Sequence, residues 1–366
     1  MKFIVLKENL CEGVLLAEKS TGKKTTLPIL SSILCSAQNG KILLVGTNLE
    51  TAVEVWVGGK IEREGSIAIP ARVLSSYISL VGGDQITLSS RGENLEVSSD
   101  KGKTIIRGCS TNDFPLVPRQ EEISRFTLPA GSLRDALRRV VFAVSVSDIR
   151  PELASIFFSI TPTTTIIAAT DSFRLAEQKI QGTFGEKGWS QVFLLPAKSA
   201  NDLARLLERE EENVLVSLGK GQIVFSTKRF RLTSRLTEGS FPDYKQIVPA
   251  VFCTEFNLPK DVIMDTLRVT GLFVSKLHDV IFHVQPSQKR VEVRSANADV
   301  GENIASLPAT IQGSELQISF NYRYIMDGLG QVEGDVVFGF TSASGPLMIR
   351  TRDDTSYFYV VMPMKV

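Results

Sequence analysis

The chain has 366 residues, too many for one ordinary hydrophobic core and enough for two or three domains. Hydrophobic residues make up 43% and charged residues 22%, which describes a folded, soluble protein and excludes a largely disordered one. Net charge is +1, so no global cationic field points to nucleic acid, and such a function would need a local basic surface balanced by acid elsewhere.

The chain opens with MKFIVLKENLCEGV, where Lys7 and Glu8 interrupt the apolar run that a secretory signal needs. Phe3 and its neighbour at i+2 read as a short strand, and Leu10 and Val14 as one face of a helix. Strand runs follow at SILCS and LLVGTN. IPARVLSSYISLV is a strand end turning into an amphipathic helix, and ITLSSRGENLEVSS is two strands broken at a glycine turn. NDFPLVP (112–118) closes the stretch and reads as its final strand.

The same order then recurs twice. RFTLPAGSLRDAL and EFNLPKDVIMDTL align on the first segment through Phe126 and Phe256, with Leu133 and Leu137, then Ile263 and Leu267, at the helix positions. Pro129 and Pro259 fall at the helix starts, where proline is tolerated. SIFFS and VIFHV, IIAATD and VEVRSAN, LPAKSANDLARLL and FNYRYIMDGLGQV, VLVSLGKGQIVFST and VVFGFTSASGPLMIR repeat the other elements. The units close on Pro115, Pro242 and Pro363. Such self-similarity means a repeat architecture. We expect an α+β chain of three tandem modules, 1–121, 122–249 and 250–366, each strand–helix–strands–helix–strands with antiparallel sheet dominant. No linker rich in Gly, Ser or Pro separates them, so a rigid row is expected.

Cations recur with the modules. The second helix begins with Arg72, Lys198 or Arg323, and module two adds Arg205 and Arg209, which with Lys198 and Asn201 form a stripe opposite Ala200, Leu203 and Leu207. The first helix of module two carries Arg134 and Arg138 opposite Leu133, Leu137 and Val140. Lys7, Lys260 and Arg268 come from the other first helices, and Lys19, Lys23 and Lys24 share a loop. Singly, each reads as a solvated helix face. Repeated on two helices per module, they suit a phosphate backbone approached without base readout.

Enzymatic alternatives find little support. His278 and His283 flank DVIF without metalloprotease spacing, EREEEN (208–213) reads as a solvated charge run, and Asp171 and Ser172 have no histidine nearby in sequence. There is no GxxxxGK[ST] phosphate loop. Cys11, Cys35, Cys109 and Cys253 lack paired spacing, so no metal, cofactor or disulfide framework is expected, and the thiols fit a reducing cytoplasm. A repeat scaffold that binds peptides and never DNA is the remaining alternative.

Over its whole length the chain resembles the β sliding clamps of bacterial DNA polymerase III, through TLPIL (26–30), TNDFPLVP (111–118), ATDSFRLA (169–176), EGSFPDYKQIVP (238–249), FNYRYI (320–325) and YVVMPMKV (359–366). The resemblance implies a non-catalytic DNA clamp. Its subunit would hold three modules, antiparallel sheets outside and two helices each inside, and would pair head to tail into a closed homodimeric ring of six modules. Twelve helices about 10 Å apart would leave a bore of roughly 28 Å, enough for duplex DNA and water. Double-stranded DNA would be held without sequence preference, with Lys24 and Ser147 joining the helix cations.

The resemblance also implies a pocket between modules two and three. It would take short peptide segments of the replicative polymerase, an ATP-dependent clamp loader, repair and translesion polymerases, mismatch-repair proteins and ligase. Carried over by position, module two supplies Leu153, Thr170, Phe173, Arg174, Leu175, Pro242, Gln246 and Ile247. Module three supplies Asn321, Tyr324, Ser344, Pro346, Val360, Val361, Met362, Pro363 and Met364, whose methionines can repack around different peptides. Phe173 stands where many members have histidine, and Gln246 where an arginine occurs, both at the rim. At the dimer interface the strand KTIIRG (103–108), with Thr104 and Ile106, would meet Leu272 and Phe273. The setting implied is the bacterial cytoplasm, at the nucleoid and away from any membrane.

Overall fold

The computed structural model describes residues 1–22, 27–115, 122–147 and 149–365. Among these lie six α-helices: α1 (Lys7–Lys19), α2 (Ala71–Leu80), α3 (Ala130–Val141), α4 (Ala197–Leu206), α5 (Lys260–Thr270) and α6 (Tyr322–Leu329). Each follows directly on a strand. The strands before α2, α3, α4 and α5 end on Pro70, Pro129, Pro196 and Pro259, which have no N–H to continue a ladder. Asn321 does this work for α6, its side-chain oxygen accepting the Arg323 N–H.

Helix pairs alternate with strands three times over, and every strand pairing is antiparallel. α1 buries Leu10 and Val14, and α5 buries Ile263 and Leu267, the positions that the repeat aligns. On the strands, alternate residues such as Val53, Val55 and Val57 are buried, as a sheet with one face on a core requires.

The sheets do not respect the repeats. A five-stranded sheet is built from the first repeat alone and a four-stranded sheet from the third alone. The second repeat has no sheet of its own. Its strand Phe230–Arg235 pairs with Thr51–Val57, Leu232 opposite Val53, to make an eight-stranded sheet with repeat one. Its strand Arg174–Gln181 pairs with Tyr357–Val361, Leu175 opposite Val360, to make a nine-stranded sheet with repeat three. The chain accordingly forms two compact units, Met1–Asp135 with Lys198–Thr237, and Ala136–Ala197 with Glu238–Val366. Continuing a sheet across a repeat boundary pairs an edge that would otherwise be bare.

The closing strands differ from expectation. A third strand follows each strand pair after the second helix: Gly102–Arg107, Phe230–Arg235 and Tyr357–Val361. The Phe-Pro phrases come after it and are not strands. Residues 112–115 turn, the rest of NDFPLVP lies outside the described residues, and Tyr244–Ile247 is a single 3-10 turn. Pro242 cannot donate to a ladder, and its carbonyl instead accepts the Tyr244 N–H at 2.8 Å. The phrases act as plugs. Phe114 packs on Val45 and Ala68, and Tyr244 packs on Ala168, Leu175, Met348 and Val360. In the third repeat Val360 and Val361 do belong to the last strand, and the chain leaves the sheet at Met362, just before Pro363.

No helix among the described residues is long and apolar enough to cross a membrane, and no group of three His, Cys, Asp or Glu side chains among them could hold a metal ion.

Candidate functional site

The second compact unit gathers most of the residues assigned to a peptide pocket. Antiparallel pairing sets Arg174 opposite Val361 and Leu175 opposite Val360, and the Met362 N–H donates to the Phe173 carbonyl at 2.8 Å. Period-two alternation then places Phe173 and Leu175 on one face with Val360 and Met362. Tyr244 covers part of that face, with Phe241 and Val248 packed around it and Phe241 stacked on Phe157 at 5.0 Å. Beyond this buried floor, apolar side chains stay in water: Phe173 is 61%, Ile247 48% and Met362 36% exposed. An apolar floor with an exposed apolar rim is what a peptide side chain can displace water from.

The remaining residues border this face. Pro242 precedes the 3-10 turn, and Gln246 within it is exposed, its amide donating to Asp243 at 2.7 Å. Ser344 and Pro346 lie in the loop entering the strand Leu347–Thr351, where Leu347 pairs with Val361. The tail continues past half-buried Pro363 to Met364, whose N–H donates to the Ser319 carbonyl two residues before Asn321. Leu153 is buried under the loop after α3, its carbonyl accepting the Ser145 N–H.

Arg174 is the site's buried charge. Its Nε donates to Asp171 Oδ2 at 2.9 Å, Nη1 to Asp327 Oδ2, and Nη2 to the Phe142 carbonyl at 2.8 Å. Its Cζ stands 4.5 Å from the centre of the Tyr324 ring. Burial works against the charge, but Tyr359, Asp327 and Asp171 outweigh it, so the guanidinium is held charged more firmly than a free arginine. α6 lies close enough to the last strand that a Cβ on Gly328 would stand 2.1 Å from Tyr359 Cδ1. Tyr359 in turn donates to the Tyr324 carbonyl at 3.0 Å.

Sequence reasoning missed Tyr244, Met348 and Asp327. Tyr244 sits inside FPDYKQIVP and could have been read as the plug's anchor; its hydroxyl donates to Glu177 Oε2 at 2.5 Å. Burial and then that bond push the Tyr244 hydroxyl well above the usual phenol range, so it remains a donor. Asp327 carried no local signal, because its partner is 153 residues away in the chain.

Most of the cations expected at DNA are exposed, and several are paired. Arg72 on α2 is exposed, and on α4 Lys198 and Arg205 are exposed while Ala200, Leu203 and, in the turn that follows, Leu207 are buried, as the stripe predicts. Arg138 on α3 and Arg323 on α6 are exposed, and Ser147 lies on an exposed loop. Several of the basic residues, exposed or not, are paired with acids. Arg134 pairs with Asp135 at 2.9 Å, Arg205 with Asp202 at 3.5 Å, Arg268 with Asp265 at 2.6 Å, and Arg209 with Glu12 at 3.0 Å. Lys24 lies outside the described residues. EREEEN is not a free carboxylate cluster: Glu210 is buried against Arg229 at 3.4 Å.

On the edge strand Gly102–Arg107, Thr104 and Ile106 share the inward face and Ile106 is 5% exposed, so its side chain is spent on its own core. The outward side chain is Ile105, at 63% exposed. Neighbouring residues of a strand face opposite sides of the sheet, so of the two isoleucines only Ile105 presents its side chain outward. In the second unit Leu272 is exposed and Phe273 half-buried in the turn after α5, and Ile304 is exposed on the edge strand Gly301–Pro308.

Comparison with known proteins agrees with this architecture. Family models described as the N-terminal, central and C-terminal domains of the DNA polymerase III beta subunit match residues 1–118, 127–243 and 245–365. The chain is 28% identical over 377 residues to the beta sliding clamp of Bacillus subtilis (strain 168), covering all of both chains, and 25% identical over 373 residues to that of Synechococcus elongatus, again covering all of both. Among solved structures it superposes on the DNA polymerase sliding clamp from Bacillus subtilis with a TM-score of 0.91, at 26% identity over 100% of this chain and 99% of that one. It superposes on a Pseudomonas aeruginosa sliding clamp bound to griselimycin with a TM-score of 0.94, at 24% identity over the whole of both. Three repeated αβ modules, matched in order by three domain models of one protein, place this chain in the DNA polymerase III beta subunit family, the beta sliding clamps.

Proposed function

We propose that the chain is one half of a closed homodimeric ring that encircles duplex DNA and tethers a DNA polymerase, as a non-catalytic processivity factor. The modules run 1–121, 122–249 and 250–366 in this reading. The observation that carries it is the threefold repeat whose sheets cross repeat boundaries and whose terminal sheets present edge strands bearing exposed Ile105 and Ile304. Edge strands of this kind suit head-to-tail pairing of two copies, which would leave no bare edge there.

Within the ring, DNA is held topologically and touched loosely. Arg72, Arg134, Arg138, Lys198, Arg205 and Arg323, with Ser147 and Lys24, are the residues proposed to face phosphates. Contacts of this type position without reading bases and weaken as salt rises. The Phe173–Met362 face is proposed as the pocket for short apolar peptides of the replicative polymerase, the clamp loader, repair and translesion polymerases, mismatch-repair proteins and ligase. A polymerase held there rebinds its primer at high effective concentration instead of diffusing away. The setting is the bacterial cytoplasm, at the nucleoid.

Small-angle scattering and sedimentation test the assembly, with a dimer containing a central void expected and a compact monomer ruling it out. Primer extension on a circular template with a clamp loader tests the activity. Stimulation that disappears on short linear DNA, from which a ring slides off, is the expected result.

A further inference from the structure

The pocket loop Thr170–Arg174 has a twin in the first compact unit, the loop Thr47–Thr51. Thr170 Oγ1 donates to the Arg174 carbonyl at 2.7 Å, as Thr47 Oγ1 does to the Thr51 carbonyl at 3.1 Å. Asp171 Oδ1 accepts the N–H groups of Phe173 and Arg174, as Asn48 Oδ1 accepts those of Glu50 and Thr51. Ser172 and Leu49 both take left-handed backbone, φ 79° and 75°. Each loop then receives an N–H from the end of the neighbouring repeat's last strand: Met362 to the Phe173 carbonyl, Arg235 to the Glu50 carbonyl. The backbone frames are the same.

The side chains are not. The Thr47–Thr51 frame ends in a neutral hydroxyl chain, Thr51 to Ser199 at 2.8 Å and Ser234 to Ser199 at 2.7 Å, and its rim positions hold Glu50 and Arg235. In the Thr170–Arg174 frame, Thr51 is replaced by Arg174 and Ser199 by Tyr324. Arg174 ties the loop to α6 through Asp327 and to the end of α3 through the Phe142 carbonyl. A left-handed serine is costly backbone, held only by what surrounds it. Asp171 comes from the loop itself, and Asp327 is the charged partner outside it.

We infer that Asp327 is a positioning residue of the partner pocket: through Arg174 it fixes the Thr170–Arg174 loop, and with it the rim side chain Phe173, and so sets the affinity for apolar peptides. The inference rests on the pocket proposed above. Asp327 itself touches Arg174 and need not touch the peptide. Its carboxylate is 47% exposed, so replacing it with an amide of the same shape does not open the core.

Calorimetric titration of the full chain with griselimycin tests this, with Met362→Glu as the pocket control and Asp265→Asn as a surface-acid control. Asp327→Asn is expected to weaken binding about tenfold, the low end of what a charge-assisted hydrogen bond carries. Asp327→Glu is expected to restore most of it, and Asp265→Asn to change nothing. Amide exchange at Phe173 and Arg174 should quicken in Asp327→Asn while the sheet strands keep their protection. Unchanged binding in Asp327→Asn overturns the inference, as does a loss accompanied by faster exchange throughout α6 and the sheet, which would mark general destabilisation. If the wild-type chain does not bind, or Met362→Glu binds equally well, the pocket reading itself fails and this inference falls with it.

Discussion

Met362 and Phe173 are joined by one backbone hydrogen bond at 2.8 Å, made where the last strand runs out. Val361, one residue earlier, is fully buried and paired with both Arg174 and Leu347, whereas Met362 is exposed. The boundary between structural strand and available rim therefore falls between these two residues. Deleting residues 362–366 should abolish partner-peptide binding in calorimetry yet leave the proposed dimer and the melting temperature nearly unchanged. Extending the deletion to Val361 should also cost about 1–3 kcal/mol of stability, from a lost buried side chain and its ladder bonds. Equal destabilisation by both deletions would mean that the whole tail is structural.

Tyr244 anchors the plug that walls this face. Its hydroxyl is buried with Glu177, which among the described residues also has Lys179 at 3.4 Å. Tyr244→Phe should lower stability by about 1.5–3 kcal/mol, because a buried carboxylate loses a donor that water cannot readily replace. Urea unfolding checks it; a change below a few tenths of a kcal/mol would show that Lys179 alone satisfies the carboxylate.

The threefold repeat was legible because apolar spacing is local: Leu10 and Val14, Leu133 and Leu137, Ile263 and Leu267 are all buried helix positions. The cation stripe on α4 was legible for the same reason. What could not be read were pairings across long stretches of chain. Nothing near Phe230 announces that its strand joins Thr51–Val57, and nothing near Asp327 announces Arg174. The Phe-Pro phrases were found as landmarks but mistaken for strands, since aromatic and β-branched residues score as strand until the prolines are weighed. Which of Ile105 and Ile106 points outward was not legible either, because neighbouring isoleucines in an edge strand differ only in the face they point to.

That difference separates two variants on the proposed dimer edge. Ile105→Asp leaves the core of the first sheet untouched and should shift the sedimentation pattern from dimer to monomer at micromolar concentration. Ile106→Asp buries an unpaired carboxylate and should unfold the first unit instead, seen as a loss of cooperative melting. Leu272→Asp, at 71% exposed, should act as Ile105→Asp does. A fully dimeric Ile105→Asp protein would remove this edge from the interface.

Lys198 and Arg205 are exposed on one stripe of α4, and Arg205 keeps Asp202 as a neighbour at 3.5 Å. Reversing both charges should therefore weaken DNA retention mainly through Lys198, with a smaller share from Arg205. The effect should be larger on linear than on circular DNA, where closure of the ring still holds the duplex. The log–log dependence of binding on salt should flatten by about one to two, roughly one for each phosphate that is no longer neutralised. An unchanged salt slope on linear DNA would place these cations away from the duplex.

Asp354 sets an acid limit on the second unit. Its Oδ2 accepts from Arg139 at 2.9 Å, and its Oδ1 from the Ser356 N–H and hydroxyl. Burial alone would raise this carboxyl, but Ser356 and Arg139 outweigh it and hold it below the usual carboxylate range. A carboxylate depressed in the folded state stabilises fully above its unfolded value, about 3.9, and that contribution is lost as pH falls through the lower folded value. Asp354→Asn should therefore melt below wild type at pH 7, and the gap should close as the pH falls below about 3.9 and through the lower folded value, where the wild-type carboxyl is uncharged too. The comparison needs only melting curves of the two proteins across that range. A gap that stays constant with pH would assign the loss to the Arg139 and Ser356 hydrogen bonds as such and not to the ionised carboxylate.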